Sequence, residues 1–304
     1  FFCGHHHKST LDFTTFESIS SESPSESMST TFFTKLEARV SQVDSLLCIG
    51  LDPHGKEILG DDFATASEEA KCDAAFTFCK TIIDATLPYA ACYKPNAAFF
   101  EALGAKNGNA TLVRVLNEIP DEVPILLDVK RGDIGSTAAA YAEASYDHCN
   151  ADGVTLSPLM GWDSVAPFIT DKYSDKGAFL LCKTSNPGSN DLLALALAGG
   201  ETVYERIAKL AQQWSLKSGA TSSNLGLVVG ATDSTALSKA RAAAGEGVWI
   251  LAPGVGAQGG NLEEAFRAGC NAEGTAMLVP VSRGISRAAD PAAVAKDLME
   301  NINA

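Results

Sequence analysis

Asp128, Lys130 and Asp133 fall in the run Ile125-Leu126-Leu127-Asp128-Val129-Lys130-Arg131-Gly132-Asp133-Ile134-Gly135-Ser136-Thr137. Apolar residues lead into the charges, so the stretch reads as a buried strand with a polar end. Side chains two apart on a strand share a face, which sends Asp128 and Lys130 the same way. Gly132 permits a tight turn, and Asp133 follows on the loop before a helix. A lysine between two carboxylates keeps its proton, because opposite charge favours the ammonium. That ammonium can stabilise negative charge developing on a carbon atom and then protonate it. The plain alternative is a structural ion pair with Asp133 capping the next helix. For an isolated D-x-K-x-x-D the alternative is the better reading, so the company these residues keep decides the matter.

Other apolar runs end in comparable groups: one in Asp52, one in Lys94 and one in Lys183-Thr184-Ser185. Another runs into Pro253-Gly254-Val255-Gly256-Ala257-Gln258-Gly259-Gly260, whose glycines let backbone N–H groups approach an anion closely. Ser282-Arg283-Gly284 follows the last run, where Arg283 can add a charge-assisted contact to phosphate oxygens. Alone, the glycine-rich loop is a turn. With Arg283 on the adjacent strand end it becomes a candidate phosphate site.

The elements that must position these groups are short apolar strands at 46–51, 91–94, 124–128, 153–156, 178–182, 225–229, 248–252 and 276–281. They are Leu-rich or β-branched, as buried parallel strands are. Helical stripes separate them. Cys72, Phe76, Cys79 and Ile83 step by 4, 3 and 4, and Val203, Ile207, Leu210 and Trp214 repeat those steps. Eight strand–helix units predict an α/β fold, a single (β/α)8 TIM barrel, whose chemistry collects at the C-terminal ends of the strands. The competing doubly wound sheet calls for a glycine-rich dinucleotide turn after the first strand. Gly50-Leu51-Asp52-Pro53-His54-Gly55 does not match it.

Composition sets the outer limits. Of 304 residues, 46% are hydrophobic and 20% charged, enough to build a core without staples. With 23 Lys and Arg against 37 Asp and Glu, the net charge of −14 argues against nucleic acid or an anionic membrane surface as partner. An anionic substrate must then be held by a few placed cations and N–H groups. None of the eight cysteines forms a C-x-x-C pair or a zinc-spaced cluster with histidine, so no metal site is expected. Free buried thiols point to a reducing, cytoplasmic setting, and no apolar run is long enough to span a membrane. Residues 1–31 are rich in Ser and Thr and carry His5-His6-His7; they are expected to be a disordered leader, with Met28 a candidate natural start. The barrel domain is expected over 32–304.

Together these segments resemble the orotidine 5'-monophosphate decarboxylase family, in the branch whose signature reads K-R-G-D-I-G-S-T. The resemblance continues through Cys48-Ile49-Gly50-Leu51-Asp52-Pro53, Tyr93-Lys94-Pro95-Asn96, Thr155-Leu156-Ser157-Pro158, Val229-Gly230-Ala231-Thr232, the 253–260 loop and Ser282-Arg283, covering residues 33 to 302 in order. It implies a cofactor-free enzyme making UMP from a nucleotide substrate, as a homodimer with shared active sites. By resemblance, Lys130 protonates C6 of the pyrimidine and Asp128 sits beside the substrate carboxylate. Asp133 and Ile134 reach into the partner's site with Thr137 nearby, and Asp52 and Lys94 bind ribose. Ser185 contacts the pyrimidine, and Gln258, Gly259 and Arg283 grip the phosphate. Two rivals stand beside this. One is a Mg2+-dependent sugar-phosphate decarboxylase or synthase of the same barrel suprafamily, whose metal-ligand pattern is not visible beside Asp128. The other is a non-catalytic phosphate binder, which would not require Asp128, Lys130 and Asp133 together.

Overall fold

The computed structural model describes residues 30–255 and 261–303. Residues 1–29 of the leader expected over 1–31, with His5-His6-His7, and the loop residues 256–260, with Gln258 and Gly259, lie outside the described residues. Eight strands form: β1 (Leu47–Leu51), β2 (Cys92–Pro95), β3 (Leu126–Arg131), β4 (Gly153–Leu156), β5 (Gly177–Lys183), β6 (Leu225–Val229), β7 (Ile250–Leu251) and β8 (Met277–Val281). They pair in parallel in the order β2-β1-β8-β7-β6-β5-β4-β3. Isolated parallel bridges, Tyr93 to Ile125 and Asn96 to Asp128, join β2 to β3 and bring the sheet round into a barrel. Every residue of β1, β4 and β6 is buried, which explains why those strands read as continuous apolar runs. β7 is shorter than expected, although Ala252 N–H still donates to the Leu278 carbonyl at 2.9 Å. β3 starts later than expected and continues three residues past Asp128, carrying Lys130.

The longer helices are α1 (Phe32–Val43), α2 (Glu68–Thr86), α3 (Gly108–Leu116), α4 (Gly135–Glu143), α5 (Val203–Lys217), α6 (Ser234–Ala244), α7 (Leu262–Gly269) and α8 (Pro291–Asn303). α2 buries Cys72, Cys79 and Ile83 as its stripe predicts, with Phe76 half-buried. On α5 the buried face runs through Tyr204, Ala208, Ala211 and Ser215 as well as Trp214, one position on from Val203, Ile207 and Leu210, which stay half-buried. The alanines allow the helix backbone closer to the sheet than the larger side chains would.

α1 precedes the first strand and closes the N-terminal end of the barrel. Thr31, on the leader side of the boundary drawn at 32, caps it through a reciprocal box with Thr34. Phe32 and Phe33 are buried, and the Phe32 ring occupies the space a Cβ would need at Gly153 and Gly177, the first residues of β4 and β5. Phe179 meets both rings, with centroids 6.2 and 5.7 Å away. With one end plugged by aromatic packing, the opposite rim remains open for chemistry.

Candidate active site

At that rim, four charged side chains from three neighbouring strands form an alternating array. Lys94, at the end of β2, places Nζ 3.2 Å from Asp128 Oδ2, and Lys130 places Nζ 2.5 Å from Asp128 Oδ1. Asp52, just beyond β1, adds to the field that holds the proton on Lys94. Burial disfavours the Lys94 ammonium, but Asp128 and Asp52 outweigh it and its pKa is raised. Burial likewise pushes the Asp128 carboxyl up, yet the Lys94 and Lys130 ammoniums and the hydrogen bonds from Lys130 and Thr155 win and hold it at about 2. Asp128 is therefore ionised at neutral pH.

Lys94 and Asp52 also line a cavity of about 330 Å³ that extends to Pro253, Ser282 and Arg283, the ends of β7 and β8. That volume lies at the lower end of small-ligand sites. Two buried oxygens, Asp52 Oδ1 and Ser282 Oγ, have no hydrogen-bond partner among the described residues. Buried polar atoms are normally satisfied, so both are placed to meet a ligand's polar groups. Gly50 is needed here because a Cβ would lie 2.7 Å from that of Ser282.

The expected residues divide into two sets. Asp52, Lys94, Asp128, Lys130 and Arg283 converge on the array and the cavity. Asp133, Ile134, Thr137 and Ser185 make no hydrogen bond or ion pair to that cluster among the described residues. Ser185 is half-buried against Gly230, where a Cβ would come within 2.8 Å of the Ser185 Cα. Asp133 does not flank Lys130, and Asp128 is its one carboxylate within 4 Å among the described residues. Nor does Asp133 cap the next helix: the N-cap of α4 is Ile134, and among the described residues Asp133 Oδ1 accepts only the adjacent Ile134 N–H, at 2.8 Å. The structural alternative for Asp133 thus finds no support. Gly132 does not supply a left-handed turn either. It accommodates Ser157, 3.0 Å from where its Cβ would be, while the left-handed positions are Lys130 at φ 45° and Gly135 at φ 55°. Ile134, Leu159 and Met160 are exposed by 47%, 77% and 50%, leaving apolar side chains uncovered on the adjoining loops after β3 and β4.

Comparison with known proteins settles the lineage. Residues 45–298 match the model of the orotidine 5'-phosphate decarboxylase / HUMPS family. An orotidine 5'-phosphate decarboxylase of Azoarcus sp. (strain BH72) is 43% identical, over 84% of this chain and 89% of its own length. The chain belongs to the orotidine 5'-phosphate decarboxylase / HUMPS family. Among solved structures, Leishmania donovani OMP decarboxylase superposes with a TM-score of 0.78 at 46% identity, covering 90% of this chain and 98% of that one. Leishmania donovani UMP synthase superposes with a TM-score of 0.79 at 48% identity, and the chain spans 56% of that longer protein.

For a member of the orotidine 5'-phosphate decarboxylase / HUMPS family, one site residue escaped the reading of the sequence. Thr155, in β4 and 1% exposed, donates from Oγ1 to Asp128 Oδ1 at 2.8 Å. Within the apolar run 153–156 a threonine reads as a β-former, and nothing local marks its hydroxyl as a partner of Asp128.

Proposed function

We propose that the protein decarboxylates orotidine 5'-monophosphate to UMP. The observation that carries this reading is the Lys94–Asp128–Lys130 array beside a cavity that ends at Arg283. The substrate carries a phosphate and a carboxylate, and Lys130, Lys94 and Arg283 supply cations at the array and in the cavity beside it. In the reaction the bond between C6 and the carboxylate breaks, CO2 departs, and the electron pair stays at C6. Lys130 Nζ stabilises that pair and gives it a proton; the lysine recovers its proton from solvent. Asp128, ionised and anchored, fixes where the Lys130 ammonium stands, so the charge is arranged before the reaction begins. Binding of the remote phosphate contributes energy that is realised at the reacting carbon. Asp52 Oδ1 is suited to accept a ribose hydroxyl.

The test is loss of substrate absorbance on mixing purified protein with orotidine 5'-monophosphate. We expect steady turnover that a strong chelator leaves unchanged, since nothing in this scheme needs a metal. No turnover of orotidine 5'-monophosphate by folded protein, with turnover of a sugar phosphate once Mg2+ is added, would reassign the chain to the sugar-phosphate side of the barrel suprafamily.

We further infer a homodimer with shared sites. Asp133 does not reach its own Lys130, and Ile134, Leu159 and Met160 offer an apolar rim for a second copy to cover. If Asp133 serves the partner's site, Lys130→Ala and Asp133→Ala protomers complement each other. After mixing and exchange, half the dimers are mixed and each has one intact site, so activity should recover to about a quarter of wild type. No recovery from two folded, inactive parents would sink the shared-site reading. A cytoplasmic location is proposed from the thiols: Cys48, Cys72, Cys79, Cys92 and Cys182 are free and buried. No helix among the described residues is long and apolar enough to cross a membrane.

A further inference from the structure

β3 and β4 run out of step just where the array forms. Leu127 is in register with Val154 and Arg131 with Leu156, so four steps along β3 match two along β4. The surplus residues bulge, and Lys130 takes a left-handed conformation, φ 45°, that costs a side-chain-bearing residue about 1–2 kcal/mol. Bulges recur beside active sites, where they re-aim a side chain. Here the bulge strands the backbone N–H groups of Val129 and Lys130, and Thr155 lies between the two registered pairs. Its Oγ1 accepts from Val129 N–H at 3.1 Å and from Lys130 N–H at 3.0 Å. A hydroxyl has two lone pairs and one proton. With both lone pairs occupied by N–H donors, the proton has one direction left, toward Asp128 Oδ1 at 2.8 Å. The side chain is buried, so water cannot take over these bonds.

We propose that Thr155 is a positioning residue for the reaction: one hydroxyl sets both the Lys130 backbone and the Asp128 carboxylate, and so fixes where the Lys130 ammonium stands. This rests on the decarboxylase reading above. Thr155 keeps its place in the sheet through its own backbone, in register with Phe179 of β5, so the hydroxyl is available for this second task.

The experiment compares Thr155→Val, which keeps the shape and removes the hydroxyl, with Thr155→Ser, which keeps the hydroxyl. Steady-state kinetics with orotidine 5'-monophosphate, a pH–rate profile and thermal unfolding are measured for both beside wild type. For Thr155→Val we expect kcat to fall roughly 10- to 100-fold, as for the loss of one or two hydrogen bonds. KM should change less than about threefold, because the cavity groups lie at the ends of β1, β2, β7 and β8. Asp128 loses a donor, so the acid limb of the kcat profile should move to higher pH. Thr155→Ser should return kcat to within about threefold of wild type. A lower melting temperature with kcat and its pH profile unchanged in Thr155→Val would overturn the proposal, as would a serine variant no better than valine. Should the valine variant not fold, Thr155→Cys takes its place, since a thiol is a weak donor and a weak acceptor. Wild-type protein without turnover would instead remove the decarboxylase reading itself.

Discussion

Lys130→Ala is expected to lower kcat by roughly 10⁴-fold or more while the barrel stays folded, because in the proposed reaction one group supplies both the stabilising charge and the proton. The separation of activity from stability follows from the lysine's surroundings. Its side chain is 49% exposed, and exposed ion pairs contribute at most about 1 kcal/mol. Asp128 keeps Lys94 and the Thr155 hydroxyl when Lys130 is gone. The left-handed backbone is the same for alanine as for lysine, so no strain is added. Two companion variants sharpen the result. Lys130→Arg keeps a charge but holds its protons too tightly to give one up, so it should not restore turnover. Lys130→Gly relieves the left-handed strain and should be no less stable than the alanine variant, yet equally inactive. Residual activity above a few per cent in the alanine variant, with contaminating host enzyme excluded, would take the proton-donor role away from Lys130.

Strand positions were legible wherever burial was two-sided. The runs at 153–156 and 225–229 are also the observed limits of β4 and β6, because a strand covered on both faces carries no charged residue there and its ends show as changes in composition. β3 was harder for the opposite reason. Asp128, Lys130 and Arg131 lie within its observed span, and polar residues in a strand look like a loop until their partners are known. The bulge is a property of a strand pair, so no local pattern in β3 could show that Lys130 turns back onto Asp128. Thr155 was hidden for the same reason: a threonine in an apolar run reads as a β-former, and its three hydrogen bonds are all to residues at least 25 positions away. α1 was obscured by its neighbours, since Phe32 and Phe33 follow a Ser- and Thr-rich stretch. Asp133 marks a different limit. Spacing placed it beside Lys130, but the chain puts it on the loop after β3, where its carboxylate makes no ion pair with Lys130 among the described residues.

Asp128→Asn should be the most damaging single change to the site, because it affects stability and chemistry together. In the wild type two ammoniums, Lys94 at 3.2 Å and Lys130 at 2.5 Å, share one buried carboxylate. The amide removes that charge and leaves two cations facing a neutral group, with the Lys94 side chain only 12% exposed. Breaking one partner out of a buried pair costs about 3–5 kcal/mol; some of this is recovered because Asp52 still faces Lys94 and Lys130 can turn to solvent. The titration of Asp128 gives a second route to the magnitude. Its carboxyl falls from 3.8 to about 2 on folding, roughly 2 kcal/mol at 1.36 kcal/mol per pKa unit. A depressed pKa means that this stabilisation is complete above the unfolded value near 3.8 and is lost as the pH falls toward 2. Denaturant unfolding should therefore show wild type more stable than Asp128→Asn by about 2–4 kcal/mol at pH 7, with the gap narrowing below pH 4. A gap that stays constant down to pH 2.5 would mean that the charge on Asp128 contributes nothing to the fold. Turnover should fall at least 100-fold even where the variant is fully folded, because the Lys130 ammonium loses its anchor and the preorganised charge with it. Near-normal kcat in that variant would mean that the Lys130 ammonium does not depend on Asp128 for its position, and the array as described here would not be the source of catalysis.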